Sequence, residues 1–76
     1  MMEVRTSYAW DGGAFGIDDA AHQAAGRVSD FGGCGLGMRD LGWVCKSEIE
    51  AERIKASLRK IGLRAIIRTL QHGETP

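Results

Sequence analysis

The chain has 76 residues, with 10 Lys or Arg against 10 Asp or Glu, so it is formally neutral and long enough for one small core. That length leaves little room for a deep, water-excluding active site, and the balanced charge excludes the global field that draws nucleic acid or anionic membrane. Two cysteines are too few for a disulfide scaffold, so a reducing, cytoplasmic setting is expected.

The N-terminal Met1-Met2-Glu3-Val4-Arg5 lacks the apolar run of a signal peptide, and no stretch approaches membrane-spanning length. Val4, Thr6 and Tyr8 alternate with Arg5, Ser7 and Ala9, the period-two pattern of a first strand with one face on a core. Asp11-Gly12-Gly13 breaks it. Ile17 followed by Asp18 and Asp19 predicts a helix start in which a carboxylate caps free N–H groups. This helix should run to about Gly26, with Ile17, Ala21, Ala24 and Val28 inward and Ala20 and Ala25 at the margins. Its alanines bury little area, which makes it the weaker helix.

From Val28 to Met38, four glycines alternate with Phe31, Cys34 and Leu36, which predicts a short edge strand and a glycine-rich turn. Leu41, Trp43 and Cys45 then share one phase of a central strand, leaving Asp40, Gly42, Val44 and Lys46 in the other. Ser47 and Glu50 form the S-x-x-E capping pattern of a second helix, whose apolar stripe is Ala51, Ile54, Leu58 and Ile61. Gly62 should end it in the left-handed conformation. A last strand follows, with Leu63, Ala65 and Ile67 opposed to Arg64, Ile66 and Arg68.

The order is therefore βαββαβ, that of a ferredoxin-like α+β two-layer sandwich with a four-stranded antiparallel sheet and two helices on one face. Residues 1–70 make the single domain, and 71–76 a polar, frayed tail.

No segment carries a recognisable chemical motif. Gly32-Gly33-Cys34-Gly35-Leu36-Gly37 invites a phosphate-loop reading, but it runs into a strand and lacks the Lys and the following helix that such a loop requires. A hairpin connection accounts for it. Cys34 could be an accessible nucleophile with His22 or His72 as its base. Yet His22 falls on the outer side of the first helix by helical count, and His72 lies in the tail. Cys45 shares the phase of Trp43 and reads as a small core residue. No Cys-x-x-Cys or His-x-x-x-His pairing supports a metal, so neither cofactor nor metal is expected. Asp18 and Asp19 diverge on a helix, Glu48, Glu50 and Glu52 suit the dipole of a helix start, and Arg39-Asp40 reads as a solvated ion pair or turn cap.

Charge is unevenly placed along the chain. Residues 46–70 hold seven basic side chains and three acids, whereas the first 45 hold three and six. Such a dipole points to a contact surface. Arg5, Lys46, Arg64, Ile66 and Arg68 fall in the strand phase opposite the predicted core, with Val44 between them, and form the first candidate partner-binding face. Ile49, Arg53 and Lys60, on the outer side of the second helix, form an alternative face. The central strand shows no aromatic platform on its open side, which argues against base stacking of the kind some βαββαβ domains use on RNA, although the basic residues could still grip phosphates.

The small size, the βαββαβ order and the Gly-Gly-Cys-Gly-Leu-Gly connection into Arg39-Asp40-Leu41-Gly42-Trp43 resemble the small ferredoxin-like proteins of bacteriophages and mobile elements, some of which are anti-CRISPR inhibitors. The resemblance implies a stoichiometric inhibitor that occupies a nucleic-acid-binding or subunit surface of a CRISPR effector complex. It assigns no residue a role. Three classes follow: a non-enzymatic protein-binding module, a weak nucleic-acid binder, and a small thiol-dependent enzyme.

Overall fold

The computed structural model describes residues 1–69, and the readings made of Leu70, His72 and the 71–76 tail lie outside them. The elements are β1 (Met2–Ala9), α1 (Ile17–Ala25), β2 (Phe31–Gly35), β3 (Met38–Cys45), α2 (Glu48–Lys60) and β4 (Arg64–Thr69). The four strands form one antiparallel sheet in the order β2-β3-β1-β4. The protein is thus a small α+β domain with β1 in the middle, between β3 and β4.

Strand phase decides the core. Val4, Thr6 and Tyr8 on β1, Leu41, Trp43 and Cys45 on β3, and Ala65 on β4 are buried on one face. There they meet Ala51, Ile54 and Leu58 of α2 and Ala21 and Ala25 of α1, while Ile17, Ala24, Leu63 and Ile67 are partly buried at the margin. Both helices therefore cover the same side, and among the described residues no helix lies on the opposite side of the sheet. Trp43 is the largest fully buried side chain. Its indole Nε1 donates to the Arg27 carbonyl at 3.0 Å, which gives its polar atom the partner that burial demands.

Several local expectations are corrected. The start of α1 is capped by Gly16 in the left-handed region, which has no side chain to cap with, and Asp18 turns to Arg39 at 3.2 Å. Asp11 holds the preceding turn by accepting from the N–H groups of Gly13 and Phe15 at 2.7 and 3.0 Å. The inward face of α1 is Ala21 and Ala25, and Val28, beyond the helix end at Gly26, is 70% exposed. His22 is not on the outer side: it is half-buried, edge-on to Trp43 with ring centroids 6.2 Å apart, and its Nε2 is 3.3 Å from Ser29 Oγ. Arg39 and Asp40 do not pair, since neighbours on a strand point to opposite faces; Arg39 goes to Asp18 and Asp40 accepts from Ser7.

In α2 the Glu50 N–H donates to Ser47 Oγ at 3.2 Å, but the Glu50 carboxylate leaves the cap and reaches Arg27 at 3.1 Å. Only half of the reciprocal box forms. Gly62 is left-handed as expected, whereas Ile61 lies past the helix end and is 46% exposed.

The glycines of β2 belong mostly to the strand, and the turn is Leu36-Gly37. Packing leaves no room for a side chain at Gly32, against the Asp40 carbonyl, or at Gly42. A β-carbon at Gly42 would fall among the edge atoms of the Phe31 ring, because Phe31 on β2 lies opposite Gly42 and leans across it on the open face. Gly42→Ala is expected to destabilise by about 1–3 kcal/mol through this clash. In the Phe31→Ala background the same change should cost much less, a coupling that urea denaturation of the double-mutant cycle would measure.

Candidate functional site

The strand register brings the predicted open-face residues together. Arg5 on β1 lies opposite Gly42 of β3 and Ile66 of β4, Ser7 lies opposite Asp40 and Arg64, and Glu3 lies opposite Val44 and Arg68. Cross-strand partners share a face. Hence Arg5, Arg64, Ile66 and Arg68 stand on the surface that the helices leave uncovered, and a shallow depression there is lined by Arg5, Ser7, Met38, Arg64 and Ile66. Lys46 follows the end of β3 in the bend before α2, exposed but outside any strand register.

The face is not a plain cationic patch, and this corrects the charge reading. Glu3 sits on it fully buried, with its carboxylate ion-paired to Arg5 and 3.9 Å from an Arg68 nitrogen. Burying a carboxylate is tolerable only with such compensation. Two of the four cationic candidates are thereby engaged in supporting the sheet. Arg64 is different: it is exposed and forms no ion pair among the described residues. Beside it Ile66 is 60% exposed, an aliphatic side chain standing open on a strand.

Phe31 completes the face. The Arg5 guanidinium lies 5.2 Å from the centre of its ring, a cation–π distance. Sequence reasoning assigned neither Phe31 nor Glu3 to this surface. The signal for Phe31 was Gly42 itself, a residue without a side chain in the middle of a central strand, which leaves a hole for a cross-strand ring. For Glu3 it was the strand phase shared with Arg5.

A second polar cluster fixes the end of β3. Arg27 donates to the Val44 carbonyl at 2.7 Å, to Asp30 at 2.8 Å and to Glu50 at 3.1 Å, and Asp30 in turn accepts from the Val44 N–H at 2.6 Å. The bond to Asp30 raises the Arg27 pKa, burial opposes it and Glu50 adds to it. For Asp30, burial acts to raise the carboxyl, but the bonds from Arg27 and the Val44 N–H outweigh it, and its pKa lies below the ordinary value. A depressed carboxyl contributes stability above its unfolded pKa, and that contribution is lost as pH falls through the folded value. The protein should therefore lose stability below about pH 4, and Asp30→Asn should flatten this part of the profile. Urea midpoints followed from neutral to acid pH would measure it. The cluster ties β3, α2 and the segment after α1 together, a structural role.

The alternative helix face is partly committed. Ile49 is 84% exposed and Lys60 is exposed at the end of α2, but Arg53 reaches the C-terminal end of α1, donating to the Ala25 carbonyl at 3.0 Å. That bond satisfies a carbonyl with no partner inside its helix. The two cysteines are not brought together with a base: Cys34 is exposed on β2, whereas Cys45 is buried and its thiol is pushed up by burial, with Glu50 adding to the shift. His22 is engaged with Trp43 and Ser29. Among the described residues no group of three or more His, Cys, Asp or Glu is arranged to hold a metal, and no helix is long and apolar enough to cross a membrane. No family model matches the sequence, and neither the curated proteins nor the solved structures hold a significant match to it.

Proposed function

We propose that the chain is a small non-enzymatic protein-binding module, built as a ferredoxin-like sandwich, that engages its partner through the open face of the sheet. The placement of β1 between β3 and β4, with both helices on one side, supports the fold reading. The observation that carries the function is the pairing of an exposed aliphatic, Ile66, with an Arg64 that lacks an ion-pair partner among the described residues, on a face otherwise held in place by the Glu3 pairs. An aliphatic contact beside a guanidinium suits a partner with an apolar spot ringed by carboxylates. The same face fits a surface that ordinarily holds an anionic strand. On that reading the protein is a cytoplasmic, phage-borne inhibitor of anti-CRISPR type, and it occupies a nucleic-acid-binding or subunit surface of an effector complex.

Weak binding of single-stranded nucleic acid is the second reading, favoured by the Phe31 ring and the Arg5 guanidinium on that same face. One set of measurements separates the two. The wild type and the Arg64→Glu, Ile66→Asp variant are compared for capture of CRISPR effector subunits and for titration with single-stranded RNA and DNA over a range of salt. Loss of subunit capture in the variant supports the inhibitor reading. Nucleic-acid binding that falls with salt and with Phe31→Ala favours the second, and equal capture by both proteins removes the open face.

A further inference from the structure

The sheet has a second feature that the open face does not use: its β2 edge. Among the described residues β2 packs against β3 alone of the elements, no helix covers it, and Gly32 to Gly35 are exposed. Sheet edges are ordinarily blunted by charge, proline or a covering element, because an unpaired row of N–H and C=O groups is a template for another strand. Phe31–Gly35 contains none of these residues. Leu36 and Gly37, with φ of 53° and 77°, make a two-residue turn of the I′ kind. Gly35 and Met38 then close the hairpin as a hydrogen-bonded pair, and the alternation of an antiparallel ladder turns the N–H and C=O of Gly32 and Cys34 outward.

We propose that β2 is a self-association edge, on which two copies of this chain pair antiparallel about a two-fold axis at Gly33 and join their sheets into one. This register sets Gly32 of each copy opposite Cys34 of the other, so that every outward-turned group of the two residues finds a partner. It also sets Phe31, whose ring leans toward Gly42, opposite the partner's Gly35, which brings no side chain against it. Charge favours a copy at this edge over the far one. A two-fold at Ile66 of β4 would set Arg64 of each copy opposite Arg68 of the other, whereas β2 carries no charge to repel itself. A two-fold operation uses one strand twice and leaves no new edge of the same kind, which closes the assembly at a dimer.

The test is a charge exchange at Gly33. A β-carbon there meets no atom within 4 Å and its φ is not in the left-handed region, so side chains are accommodated in the folded chain. Sedimentation equilibrium from micromolar to millimolar protein should show a monomer–dimer equilibrium in the wild type. Gly33→Lys and Gly33→Glu should each weaken it about tenfold or more, because each places like charges directly across the axis. An equimolar mixture of the two variants should recover a mixed dimer, read by native mass spectrometry. Hydrogen exchange should protect the Gly32 and Cys34 amides at dimeric concentrations only. A wild type that stays monomeric at millimolar concentration, a dimer indifferent to both substitutions, or a mixture no more associated than its components would each overturn the proposal. A monomeric wild type whose β2 amides become protected by an added extended peptide would assign the edge to a different occupant.

Discussion

Trp43→Ala is expected to destabilise the protein by about 3–5 kcal/mol, a loss that a small domain of ordinary stability can barely survive. Trp43 is fully buried and touches both layers: it sits in the core with Leu41 and Cys45, meets the edge of His22, and bonds through Nε1 to the Arg27 carbonyl. Truncation leaves a cavity between α1 and the sheet and strips that carbonyl of its indole partner. Trp43→Phe keeps much of the volume and removes only the N–H, so it should cost less. Urea denaturation at neutral pH would measure both. A Trp43→Ala protein that unfolds at the wild-type midpoint would contradict the placement of β3 as the central core strand.

The largest functional effect is expected from Arg64→Glu combined with Ile66→Asp, which should weaken binding of the protein partner by about 100-fold or more. Arg64 and Ile66 are exposed, so the same change should alter stability by less than about 1 kcal/mol. That separation between binding and folding is what makes the variant informative. Arg68 is a poorer choice, although it shares the face. It lies opposite the buried Glu3, and Arg68→Glu would place a second carboxylate against one already taken out of water, so lost binding could follow from lost folding. Affinity for the isolated partner, by calorimetry, paired with a thermal melt of the variant, measures both quantities. Full affinity in a well-folded variant would move attention to Ile49 and Lys60 on α2.

Local pattern was enough to determine the elements and the phases of the sheet. Alternation along Val4–Tyr8, Leu41–Cys45 and Arg64–Arg68 defined which side chains face inward, because a strand has only two sides and one of them must be apolar. The Ser47 cap, the Ala51-Ile54-Leu58 stripe and Gly62 bounded α2 for the same local reason. What the side chains do with that placement was decided only by tertiary structure, since it depends on residues distant in the chain. Helical counting set His22 opposite Ile17, but the nine-residue α1 buries Ala21 and Ala25 and leaves His22 half-buried, edge-on to Trp43. The charge count along the chain predicted an open cationic face. Pairing β1 with β4 instead laid Arg68 across from Glu3, and the need to neutralise a buried carboxylate drew in Arg5 as well. Composition could not foresee that, because which charges cancel depends on which strands become neighbours. Arg64 stayed without an ion pair among the described residues for the converse reason, since its cross-strand neighbour is Ser7 and not a carboxylate, and Ile66 stayed exposed because both helices lie on the other face.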